Sequence, residues 1–150
     1  MRDLLGRYSE HIYAILRIVV GMMYWMHGTT KLFSFPPGAF GTGRTLAPFT
    51  LLWTAGWIET IGGLLIMIGL FARPAAFICS GEMAFAYFLR QFPFAVLPIY
   101  PPPGIFGESA VFNCFFFLYV AARGAGPLSV DRWLQRRRGS GAGAPSAAPV

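Results

Sequence analysis

Apolar positions along the chain gather into four blocks, at about residues 12–33, 49–71, 74–92 and 105–122. A bilayer crossing as helix takes roughly 17–25 mostly apolar residues, which all four blocks supply. Membrane strands would be about half as long and would alternate in polarity. The few polar residues inside the blocks recur at helical spacing. Arg17, Tyr24 and Lys31 follow one another at seven residues, with His27 three after Tyr24 and four before Lys31. Such spacings put side chains on one helix face. Gly21 and Gly28 fall on nearly the same stripe, where they admit a neighbouring helix closely. Gly56, Glu59 and Gly63 share a face in the second block, and Glu82, Ala86 and Arg90 in the third. The pattern predicts an all-α membrane four-helix antiparallel bundle that turns its charges inward.

Between the second and third blocks only Phe71, Ala72, Arg73 and Pro74 remain, so these helices form a hairpin. Pro74 starts the third without losing a needed hydrogen bond. Loops 34–48 and 93–104 are rich in Pro, Gly and aromatics. The second, with Pro101, Pro102 and Pro103 in a row, predicts a stiff extended segment. Both suit the headgroup layer, where aromatics gather, or the outer end of the bundle. Past the fourth block, Gly124 and Gly126 stop the helix and Ser129 can cap a new one. Trp133 and Leu134 among arginines predict a short amphipathic helix on the inner leaflet. Residues 139–150 are of low complexity and predict a disordered tail. Residues 1–138 form the single transmembrane domain.

Composition strengthens the membrane reading. The 150 residues are 55% hydrophobic, 17% aromatic and 12% charged, against about 25% charged in a typical globular chain. A soluble domain this small would not hide so much apolar surface in one core. The first block also resembles a signal peptide behind Arg2 and Arg7. Arg17 interrupts it, however, and the following SFPPGAFGTG offers no ordinary cleavage site. A retained helix is the reading adopted.

The net charge of +6 would suit nucleic acid were it not so unevenly placed. Outside the blocks Arg2, Arg7, Arg73, Arg123, Arg132, Arg136, Arg137 and Arg138 share one side of a four-span chain, and Arg44 has the other to itself. Basic loops stay in the cytoplasm, which places both termini of this multi-pass chain there. The charge therefore reports topology and contact with anionic lipid, not DNA or RNA. Cys79 and Cys114 lie inside helices without CxxC or Cys/His metal spacing, so no metal site is expected.

Ionisable residues within hydrocarbon need a reason, since each costs at least about 2.5 kcal/mol at a helix centre. By helical rise Lys31, Arg90 and Glu108 lie near the outer boundary, and His27, Glu59, Glu82 and Asn113 lie deeper. Arg17 belongs to the inner half. Helices two, three and four bring Glu59, Glu82 and Glu108 to meet His27 and Lys31. Glu82 pairs with Arg90 or His27, or is protonated. One reading is an ion-pair network that sets helix register. The other is a polar pocket for protons or a small ligand, with Tyr24, His27, Lys31, Glu59, Glu82, Arg90, Glu108 and Asn113 as candidates. Lys31 and Arg90 also suit snorkelling to the headgroups.

The runs LRIVVGMMYWMHGTTKLF (16–33), GWIETIGGLLIMIGLFAR (56–73), GEMAFAYFL (81–89), GESAVFN (107–113) and GAGPLSVD (124–131), in this order, resemble the DoxX family of small bacterial four-helix membrane proteins. The resemblance implies a link to the membrane subunit of a thiosulfate:quinone oxidoreductase, or to thiol and oxidative-stress systems. It marks Arg17, His27, Lys31, Glu59, Arg73, Glu82, Glu108, Asn113 and Asp131 as recurring polar positions without making any catalytic. The sequence has no haem-type His pairs, iron–sulfur Cys cluster or nucleotide-binding glycine loop. The expectation is thus a subunit without a tightly bound cofactor that binds a small, quinone-like molecule beside a redox-protein partner, alone or as a homo-oligomer. A proton or solute transporter and a non-enzymatic scaffold are the alternatives.

Overall fold

The computed structural model describes residues 5–36, 46–90 and 107–141, and it is all-helical among them. The five principal helices are α1 (Ser9–Phe33), α2 (Leu51–Ile68), α3 (Ala72–Arg90), α4 (Gly107–Arg123) and α5 (Val130–Gly141). The first four match the apolar blocks to within about three residues. Most of both expected loops, at 37–45 and 91–106, lies outside the described residues, as do residues 142–150 of the expected tail; its first three, 139–141, instead continue α5.

Local chemistry explains most of the ends. Thr50 begins α2 by accepting the Trp53 amide at 3.3 Å. Gly69, at φ 70°, closes it: its amide and that of Leu70 bond back to Leu65 and Ile66. This is the left-handed closure that glycine adopts without a Cβ penalty. Gly124, at φ 90°, ends α4, and the Ser129 hydroxyl accepts the Arg132 amide at the start of α5.

Helices α1 and α2 pack tightly and in opposite directions. A Cβ on Gly21 would lie 2.8 Å from Met67 N, and one on Gly63 only 2.5 Å from Trp25 N. Both glycines are needed for this backbone approach. Helices α3 and α4 also run oppositely, with Ser80 donating to the Cys114 carbonyl and Arg73 lying by that of Arg123. The core gathers where α1, α3 and α4 meet, around Tyr13, Tyr24, Cys79, Phe117 and Val120, with Ile66 from α2.

The exterior is unusual. Among the described residues, exposed large apolar side chains such as Ile15, Val19, Met23, Ile61, Phe77, Phe85, Phe88, Phe112 and Phe115 outnumber the buried apolar ones. One described helix, α2, is long and apolar enough by itself to cross a membrane, and 28% of it is buried. Helices α1, α3 and α4 carry charge or fall short in length.

The end of the molecule where α2 gives way to α3 holds an arrangement that helical phase did not reveal. Arg17 is fully buried. Its guanidinium donates to the carbonyls of Ile66, Met67 (2.8 Å) and Leu128 (2.9 Å). It thus satisfies the end of α2, where carbonyls lack intrahelical donors and the dipole favours a cation. From the other side the Asp131 carboxylate accepts the amides of Phe71 (3.0 Å) and Ala72 (3.2 Å) at the start of α3. The start of α5 is therefore bolted to the α2–α3 turn.

Candidate functional site

The polar residues of α1, α2 and α3 converge in two contacts. Lys31 Nζ lies 2.5 Å from Glu59 Oε1, with Glu59 only 3% exposed and Lys31 27%. About two turns earlier on α1, the Tyr24 hydroxyl donates to Glu82 Oε2. The two contacts are electrically connected, since the charge of Glu82 acts on Glu59 and that of Lys31 on Glu82. Cys79, one turn before Glu82 on α3, lies within the same field.

Helix geometry produces this grouping. Tyr24 and Lys31, seven apart, share the α1 face that the glycine contacts press toward α2. Glu59 lies between Gly56 and Gly63 on the opposing face of α2. Phe117 of α4 packs edge-on against the Tyr24 ring, with centroids 4.6 Å apart. The ring is thereby locked with its hydroxyl toward α3.

Glu59 Oε2 is buried and has no hydrogen-bond partner among the described residues, a status shared by Arg17 Nε. A buried acceptor left unmade costs about 1–3 kcal/mol, more when charged. Lys31 carries three donors, and Glu59 Oε1 takes one of them. The pair therefore offers an open acceptor and open donors side by side in a mostly apolar setting.

The remaining candidates are distributed differently. His27 is half-buried on α1 and lies in the field of Lys31. Glu108, which the four-block pattern groups with the cluster, is exposed in the first turn of α4, beside an apolar groove of Val111, Phe112, Phe115 and Phe116. Ala110, Phe117 and Val120 of the same helix turn into the core. Asn113 is half-buried on the same helix. Arg90 is the last residue of α3, and its side chain lies outside the described ones. Sequence reasoning missed the Tyr24–Glu82 pairing, because the phase of a single helix does not say which neighbour it faces. It also missed Asp131 as a cap. A carboxylate following a Gly-rich helix stop was the available signal. No group of three or more His, Cys, Asp or Glu able to hold a metal occurs among the described residues.

Against known proteins, the DoxX family model matches residues 12–91. An uncharacterized protein of Haemophilus influenzae (strain ATCC 51907 / DSM 11121 / KW20 / Rd) is 39% identical over 127 residues, covering 85% of this chain and 93% of that relative. No solved structure matches the chain.

Proposed function

The chain belongs to the DoxX family, and from that premise we propose that it is a multi-pass inner-membrane protein whose α1–α3 cluster binds a quinone-like molecule as part of a redox assembly. The apolar exterior supports lipid as its surroundings, since soluble monomers rarely expose large contiguous apolar patches. In this reading α1 to α4 form the antiparallel membrane bundle, and the basic inner loops keep both termini in the cytoplasm.

One observation carries the ligand assignment: Glu59 Oε2, buried and without a partner among the described residues, beside a lysine with donors to spare. Lys31 donates to a ligand carbonyl. Glu59 Oε2 accepts from a ligand hydroxyl, which satisfies the open acceptor. Reduction of a quinone to its hydroquinone takes up two electrons and two protons. The electrons come from a partner redox protein, and Glu59 and the Tyr24–Glu82 pair are placed to pass protons. The pocket has the general form of an apolar site with a few convergent polar groups.

The test is thermal unfolding of the purified protein in mild detergent with a short-chain ubiquinone analogue. Stabilisation that disappears in Glu59→Gln supports the proposal. Proton flux in vesicles without any quinone effect would replace it with transport. Neither response would leave the cluster as a device for helix register.

A further inference from the structure

A second polar site lies at the opposite end of the helices, where the α2–α3 turn, the end of α4 and the start of α5 enclose a cleft of about 590 Å³. Three guanidinium groups line it, those of Arg73, Arg123 and Arg132, with two carboxylates, those of Glu10 and Asp131. Both carboxylates are engaged. Asp131 accepts the amides of Phe71 and Ala72. Glu10 pairs with Arg123, which also donates to the Tyr119 hydroxyl at 2.6 Å and lies over the Tyr13 ring.

Arg73 and Arg132 are in a different position. Neither makes an ion pair among those of the described residues, Lys31–Glu59 and Arg123–Glu10. Arg73 is nonetheless held in place. Its guanidinium lies across Gly124, where an added Cβ would meet Nε at 3.0 Å, and its hydrogen bond to the Arg123 carbonyl is a long one of 3.4 Å. Arg132 follows Asp131, so the bolt that fixes Asp131 against the α2–α3 turn also brings Arg132 to the cleft.

We propose that this cleft binds the phosphate of an anionic phospholipid through Arg73 and Arg132. Planar guanidinium forks match phosphate oxygens, and two of them converging on a cleft make a far more selective site than scattered basic residues. The choice of a lipid rests on the membrane reading above, which sets this end at the inner leaflet. Phe71 and Leu128, adjoining the cleft in the chain, are exposed apolar side chains suited to the acyl region.

The experiment measures binding of phosphatidylglycerol and of phosphatidylcholine to the detergent-purified full chain by native mass spectrometry, with inorganic phosphate as a competitor. The expected result is a preference for phosphatidylglycerol that Arg73→Gln and Arg132→Gln each weaken about five-fold, the equivalent of about 1 kcal/mol per arginine near a lipid surface. Arg7→Gln, on the exposed first segment, should leave the preference unchanged. Arg73→Lys, which keeps charge but loses the fork, should recover part of it and guards against a folding defect in Arg73→Gln. Competition by millimolar phosphate, lost in the same variants, retains the phosphate site and assigns it a soluble source. Equal binding of both lipids without such competition, or wild-type binding by the Arg73→Gln/Arg132→Gln double variant, overturns the site. Carbonate extraction of cell membranes tests the membrane reading separately: release of the protein sinks that reading, while arginine-dependent phosphate binding would still stand.

Discussion

At the scale of residues, the cluster is held by pairs whose members need each other. Lys31 and Glu59 are placed so that losing either strands the other. Each single substitution, Lys31→Gln or Glu59→Gln, should destabilise the protein by about 3 kcal/mol, the low end for a broken buried pair because Lys31 keeps 27% exposure. The double variant should be milder than the sum, since no charge is left unpaired. Denaturation of all four proteins in one detergent checks this, and simple additivity would mean that the two residues are energetically independent. The pair was foreseeable from helical phase, because Lys31 and Glu59 each occupy a glycine-bearing face. Tyr24–Glu82 was not. Nothing along one helix states whether the hydroxyl of Tyr24 turns toward α2 or α3; the Phe117 ring packed against it decides that.

Among elements, the contact between α1 and α2 depends on backbone proximity. Gly63→Ala places a Cβ 2.5 Å from Trp25 N, with only main chain there to yield. A loss of about 1–3 kcal/mol is expected, as for other overpacked sites. Gly81 provides the control: nothing lies within 4 Å of its Cβ position, so Gly81→Ala should be neutral or gain up to about 1 kcal/mol of helix propensity. Melting temperatures of the two variants should move in opposite directions or differ clearly in size. A second element-scale prediction concerns the bolt at the α2–α3 turn. Asp131→Ala removes the acceptor for two amides and should cost about 1–2 kcal/mol, the range for a lost helix cap. Hydrogen exchange should quicken at Phe71 and Ala72 first. Unchanged exchange there would show that the turn holds without Asp131.

For the whole molecule, the sidedness of the charge is the feature to test. In a background without Cys79 and Cys114, single cysteines at Thr42 and Ser140 should label from opposite sides of the membrane, with Ser140 on the cytoplasmic side. Labelling of both from outside would rule out the four-span arrangement. The same architecture separates two polar regions along the bundle: the Lys31–Glu59 and Tyr24–Glu82 group, and the arginine-lined cleft near Gly124. Arg17 stands between them as a structural cation, its charge spent on the carbonyls that end α2 and on that of Leu128.

The sequence by itself determined the helices, their approximate ends and the glycine-bearing faces, because these follow from local periodicity and from residues that stop or cap a helix where they stand. It also determined family membership, which rests on ordered runs spread through the chain. Only the tertiary structure decided who meets whom. Arg17 looked like part of the same stripe as Tyr24 and Lys31, yet the register between α1 and α2 sends it to the end of α2. Glu108 looked like a member of the acidic set, and the structure shows it exposed on α4 beside an apolar groove. Asp131 reaches back 60 residues to Phe71. A helix fixes the angle between its own side chains, but the partner of each is set by crossing, register and rotation against other helices, which no single segment encodes.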